Sequence, residues 1–143
     1  LEPRYQRAWN SNVTVNVCSQ KVEDHQQLAW KFVTDESDAI EAELRSVLWT
    51  ECKKNFDEFM EELEPDDPDC EWESMKGITD WSSESSLDLQ VYLYHISILE
   101  SSAQGIAHVV FTFDIGWDDE HGLCIIMHKD KVLAVNGAGD HRF

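Results

Sequence analysis

Between Ile40 and Leu63 the apolar residues Ile40, Leu44, Val47, Leu48, Cys52, Phe56, Phe59 and Leu63 recur at intervals of three and four. That spacing lines one face of a helix. An apolar face of this length must be buried against another element, so the chain is committed to packing a long helix on something equally apolar. Ser37 is a candidate N-cap with Glu41 nearby, and Asp35 would serve as well; acidic residues in the first turn suit the helix dipole. Pro65 and Pro68 are expected to stop the helix.

The partner is found in the C-terminal third. Ala107–Asp114 and Leu123–His128 are the clearest strands, and Lys129-Asp130-Lys131 leads through a tight hairpin into Val132–Val135. Before them, Leu89, Val91, Leu93, Ile96 and Ile98 predict a strand, with or without a helical turn ahead of it. Its period slips near His95, and Gln104-Gly105 turns the chain. Near the start, Val13, Val15 and Val17 alternate with Thr14, Asn16 and Cys18, the period of a half-buried strand. From Glu23 the period becomes helical, with Leu28, Ala29, Phe32 and Val33 on one face and Trp30 off it. Leu1–Ser11, with Tyr5 and Trp9, is a first strand or an ordered arm. Met75–Trp81 is a short apolar patch followed by the breaker Ser82-Ser83-Glu84-Ser85-Ser86. The pattern is α+β: an antiparallel sheet, mostly a C-terminal meander, packed against one long and one or two shorter helices, in a single domain over 1–143.

Charge narrows the partners. Twenty-nine Asp and Glu against eleven Lys and Arg leave a net charge of −18, which repels nucleic acid and anionic membranes and favours a basic protein. A 42% hydrophobic fraction with six tryptophans supplies an ordinary core without metal or disulfide staples. Cys18, Cys52, Cys70 and Cys124 form no C-x-x-C pair and fit reduced thiols of a cytosolic protein. No run approaches the ~20 apolar residues of a membrane span, and no basic-then-apolar leader pattern opens the sequence. The expected setting is cytoplasmic, with no cofactor. Monomer and homodimer both stay open, because an apolar edge such as Leu123–Met127 could pair with a copy of itself.

Two stretches concentrate candidate site residues. From Asp57 to Glu73 there are ten carboxylates and no Lys or Arg. A solvated acidic surface is the plain account. The sharper one is a docking face, in which Asp57, Glu58, Glu61, Glu62, Asp66, Asp67, Asp69 and Glu73 steer a basic partner and Trp72 anchors it. The second stretch is Trp117-Asp118-Asp119-Glu120-His121-Gly122, placed at the tip of a hairpin between two apolar strands. Asp114, Asp118, Asp119 and Glu120 could offer oxygens to a divalent cation with His121 as a nitrogen ligand. Strict alternation along a strand would let only two or three of them converge. Glu120-His121 could also serve acid/base chemistry, which needs a positioned partner that adjacency does not supply. The other histidines of the C-terminal half, His95, His108, His128 and His141, read as core or edge residues, since no zinc-ligand spacing joins them. Cys124 lies in an apolar strand and reads as an inert thiol. Asn136-Gly137-Ala138-Gly139 lacks the spacing of a phosphate loop and reads as a turn.

Trp117-Asp118-Asp119-Glu120-His121-Gly122-Leu123, with His128-Lys129-Asp130-Lys131-Val132 and Gly137-Ala138-Gly139-Asp140 after it, resembles the C-terminal signature of a bacterial family of small acidic proteins with a W-D-x-E-H-G-x-G hairpin. The match is closest over Phe111–Asp140, and Cys124 stands where that pattern has its second glycine. The resemblance implies a protein met beside polymorphic toxins, where such proteins are suspected immunity proteins; it brings no catalytic residues. The expectation is therefore a binding protein, not an enzyme, that neutralises a cognate basic toxin, possibly a nuclease, by occluding its functional surface. Trp117, Asp118, Asp119 and Glu120 would extend the acidic contact face, and Trp81 is a further candidate anchor. The alternative is a small metal-dependent hydrolase built on Asp118–His121. A weaker third reading is an acidic adaptor of a secretion or chaperone system.

Overall fold

The computed structural model describes residues 13–62, 91–115 and 118–137, with backbone alone at 55, 56, 59, 60, 62, 115 and 118–121. The elements run β1 (Thr14–Val17), α1 (Asp24–Asp35), α2 (Ser37–Glu62), β2 (Val91–Ala103), β3 (Ile106–Ile115), β4 (Asp118–His128) and β5 (Lys131–Gly137). One sheet holds all five strands in chain order. β2 to β5 form the expected antiparallel meander, and β1 joins β2 in parallel. The α+β architecture follows, with both helices on the sheet.

Side-chain alternation builds the core. Ile96 and Ile98 of β2, Val109, Phe111 and Phe113 of β3, and Leu123, Ile125 and Met127 of β4 share one face. Against it lie Ala29 and Val33 of α1 and Ile40, Leu44, Leu48 and Cys52 of α2, all buried. Residues 40, 44, 48 and 52 repeat at four, and each step turns the helix about 40° beyond a full revolution. The buried row is thus oblique to the helix axis. Fully burying Phe111 or Leu44 contributes about 1.5–3 kcal/mol each.

The opposite face of the sheet is buried as well. Val110, Cys124 and Ile126 are fully buried with Leu99 and Ala134 against them, and Ser97, His108 and Thr112 are buried beside them. β3 and β4 are therefore apolar on both sides. Leu123–Met127, expected as a possible free edge, lies instead in an inner strand between β3 and β5. Pairing both its neighbours satisfies the backbone groups that a second copy would have needed.

The slip of period near His95 is a β-bulge. Leu93 pairs with Phe113 and His95 with Thr112, so Tyr94 is an extra residue. It shifts the buried set from Val91 and Leu93 to Ile96 and Ile98. A bulge in β5 has the same effect, since Ile126 pairs with Ala134 and Met127 with Val132, leaving Leu133 exposed. Gln104 and Gly105 both take positive φ (55° and 76°), the two-residue turn whose twist matches antiparallel strands. The next turn is Lys129-Asp130, with Lys129 at φ 56°, while Lys131 already belongs to β5. Asn136 and Gly137 are not a turn; they extend β5 and pair with Cys124 and Leu123.

Helix α2 buries the expected row, whereas α1 is phased differently from the sequence expectation. Gln26, Ala29 and Val33 form the buried row of α1, while Leu28 is half exposed and Trp30 packs against the core. Gln26 wins this place because its amide is fully used. Its Nε2 donates to the carbonyls of Leu99 (3.2 Å) and Ile98 (3.5 Å), and its Oε1 accepts from the Glu23 N–H (2.9 Å) and Ser19 Oγ (2.9 Å). Glu36, not Ser37 or Asp35, separates the helices. Its N–H closes α1 on Phe32 O and its carbonyl opens α2 by accepting from Ile40 N, and Ser37 is buried as the first residue of α2.

Leu44→Ala is expected to lower unfolding free energy by about 2–5 kcal/mol, and Leu28→Ala by less than about 0.5 kcal/mol, in urea titrations of the two variants. Gln26→Leu removes the donor to Leu99 O and the side-chain acceptor of the Glu23 N–H, while Ile98 O keeps its bond from the Cys18 N–H; a loss of about 1–3 kcal/mol is expected in the same titration.

Candidate functional site

The acidic stretch starts on the last described turns of α2. Asp57, Glu58 and Glu61 are exposed, and the last turn of the helix contains no basic residue. Asp57 and Glu61 are four apart and Glu58 and Glu61 three apart, so like charges sit side by side on the helix surface, each such pair costing a few tenths of a kcal/mol. Lys53 relieves one of them, with its Nζ 3.1 Å from Asp57 Oδ1. Both side chains are well exposed, so this pair is screened and weak. The Glu62 side chain lies outside the described residues, as do Leu63, Pro65, Asp66, Asp67, Pro68, Asp69, Trp72, Glu73 and Trp81.

The second stretch changes its place in the fold. Asp118, Asp119, Glu120 and His121 lie within β4 and not at the tip of the hairpin. Asp114 pairs with Gly122 and Ile115 with Asp118, so residues 119–121 of β4 have no partner in β3 and form a three-residue bulge. Trp117 and the side chains from Asp118 to His121 lie outside the described residues. Among the described side chains, no group of three or more His, Cys, Asp or Glu is placed to share a metal ion.

The histidines of the second sheet face are tied into the structure. His108 and His128 sit on neighbouring strands with ring centroids 5.4 Å apart. Ser101 Oγ is 2.9 Å from His108 Nδ1, and His128 Nε2 donates to Ala103 O at 2.8 Å. Burial, reinforced by the neighbouring His128, holds the His108 pKa below the usual imidazole value, and hydrogen bonding to Ser101 opposes the shift. His95 stands beside Tyr94. His25, which the sequence did not single out, donates from Nε2 to Glu100 O at 2.8 Å. His141 lies outside the described residues.

The thiols are separated by the sheet. Cys52 faces the helix side, where burial and then the Glu51 charge push its pKa up to about 12. Cys124 is buried on the other side, 3.5 Å from Thr112 Oγ1. Cys18, Cys52 and Cys124 are thiols outside any disulfide, and Cys70 lies outside the described residues.

Two open grooves flank α1. One of about 280 Å³ runs between α1 and β1 and is lined by Val15, Val17, Val22, Gln26, Trp30 and Ile98. The other, of about 240 Å³, lies on its far side by Leu28, Phe32 and Ile106. Neither was foreseen, because Trp30 fell off the expected helix face. No described helix is long and apolar enough to cross a membrane.

Against this geometry, the family model described as Domain of unknown function (DUF6985) matches residues 4–142, and the chain belongs to that family. No curated protein and no solved structure matches it.

With thiol reagents on the native protein, modification is expected at Cys18 and not at Cys52 or Cys124 until unfolding, as peptide mapping after a timed pulse would report. His108 makes stability depend on pH. Its folded-state pKa is below the unfolded one, so the unfolded chain takes up the proton first. The contribution of the neutral ring is intact above about pH 6.5 and is lost as pH falls below it. His108→Gln is expected to flatten the fall in urea midpoint between about pH 7 and pH 5.

Proposed function

We propose that the chain is an immunity-type binding protein that neutralises a cognate basic bacterial toxin by occluding its functional surface. The observation that carries this reading is the row of exposed Asp57, Glu58 and Glu61 on α2, of which Lys53 pairs with Asp57, in a chain of net charge −18. Adjacent like charges weaken the helix that bears them. A partner bringing Lys and Arg to this face turns that local cost into attraction, raising the rate of encounter. A toxin that cleaves nucleic acid would present a cationic cleft of this kind. Glu62, Asp66, Asp67, Asp69 and Glu73 continue the charge in sequence, and Trp72 supplies a residue type that often anchors interfaces. The likeness of residues 117–123 to the hairpin signature of suspected immunity proteins points the same way. The setting proposed is the bacterial cytoplasm.

A second reading keeps one specific support. Residues 119–121 have no partner in β3, and irregularities of this kind are over-represented beside active sites. A small metal-dependent hydrolase on Asp118–His121 would bind Mg²⁺, Mn²⁺ or Zn²⁺ in calorimetric titration, and Asp118→Asn would abolish the heat. A flat titration with each ion removes this alternative.

For the favoured reading, association with the basic protein recovered from the native host is expected to slow about tenfold or more in Glu58→Lys/Glu61→Lys and to slow steeply with added salt. A rate indifferent to both changes would sink it.

A further inference from the structure

We propose that the groove between β1 and α1 receives an extended segment of another protein, which adds to the sheet as a sixth strand beside β1. In a parallel pair, the N–H and C=O of one residue point to the same side and those of the next residue point away. Cys18 N–H donates to Ile98 O at 2.9 Å, so residues 14, 16 and 18 direct their backbone groups at β2. Val15 and Val17 direct theirs outward. Ser19 N–H takes the Val17 carbonyl (2.9 Å), which leaves the N–H and C=O of Val15 and the N–H of Val17 facing outward at the sheet edge. β1 is the last strand on this side among the described residues.

The side chains make the edge selective. Val15 and Val17 lie on the helix side of the sheet, in the register of Ile96 and Ile98, and form the floor of the groove whose other wall is Val22, Gln27 and Trp30. A strand added beside β1 would lie about 4.8 Å further out, and every second side chain of it would enter this groove. At about 280 Å³ the space falls just below the roughly 300 Å³ at which small-molecule sites begin, and its apolar walls suit aliphatic side chains. Val22, 46% exposed, stands at the mouth.

Charge selects among occupants. A second copy would bring another −18 against the first, and around Val22 the exposed Glu23 and Asp24 outweigh the exposed Lys21. The segment that fits has Val, Ile or Leu at alternate positions with Lys or Arg between them. This surface is distinct from the α2 face, and the inference stands without the toxin reading.

The probe is the heptapeptide Lys-Val-Lys-Val-Lys-Val-Lys, titrated into the full ¹⁵N-labelled chain and followed by amide and indole shifts. Saturable shifts confined to β1, the start of α1 and the Trp30 indole, at a Kd of about 1 mM or tighter, are expected, with slowed exchange of the Val15 amide. Affinity is expected to fall about tenfold or more for Glu-Val-Glu-Val-Glu-Val-Glu and for Val22→Arg, whose exposed position leaves folding unaffected. Glu58→Lys/Glu61→Lys should leave peptide binding in place, so failure here and failure of the toxin reading are told apart. The inference is overturned by an absence of shifts, by shifts centred on residues 57–62, by unchanged affinity in Val22→Arg, or by sedimentation showing that copies of the chain pair through β1.

Discussion

Phe111 and Phe113 on one side of β3 and Val110 on the other, with Ile125 and Ile126 doing the same in β4, leave these two strands with no side that can face water. Each must have a strand on both edges and a cover on both faces. β2 and β5 provide the edges. α1 and α2 cover one face through Ala29, Val33, Ile40, Leu44, Leu48 and Cys52. The element order follows from this demand: the helices are inserted between β1 and β2, and the meander places the two most apolar strands away from either end of the sheet.

The polar groups drawn into this interior are there on terms. Gln26 is fully buried, and its amide ties the start of α1 to the carbonyls of Ile98 and Leu99. His108 and His128 spend their ring nitrogens on Ser101 and Ala103. Buried polar side chains with complete hydrogen bonding stabilise a particular register, while the same groups left unpaired would cost more than an apolar residue. Charge is kept outside, where Asp57, Glu58 and Glu61 meet solvent. That separation leaves recognition to the surface of α2 and to the β1 edge.

Much of the fold was legible in the sequence. The three- and four-residue repeat of α2, the turns at Gln104-Gly105 and at Lys129-Asp130, and the period slip near His95 all have structural counterparts. The slip was legible because a bulge moves the apolar set to the other parity. Burial of both sheet faces left a signal too, since Val109-Val110-Phe111 and Leu123–Met127 are unbroken apolar runs and not alternating ones. The phase of α1 was not legible: Leu28 fits an apolar face as well as Ala29 does, and what decides is a set of hydrogen bonds to a strand more than seventy residues away. Of the candidate site, the carboxylates of α2 could be placed because helix spacing fixes them. Residues 118–121 could not, because a three-residue bulge depends on pairing between strands and leaves no period to read. The groove beside β1 was hidden for the same reason: it exists only where a parallel strand pair meets a helix.

Native-state hydrogen exchange tests the dependence on β3 and β4 most directly. If these doubly buried strands hold the fold together, amides at 109–113 and 123–127 exchange only through global unfolding, with protection equal to the unfolding free energy from urea, while β1 exchanges through smaller openings. Protection of β3 and β4 no greater than that of β1 would contradict the account.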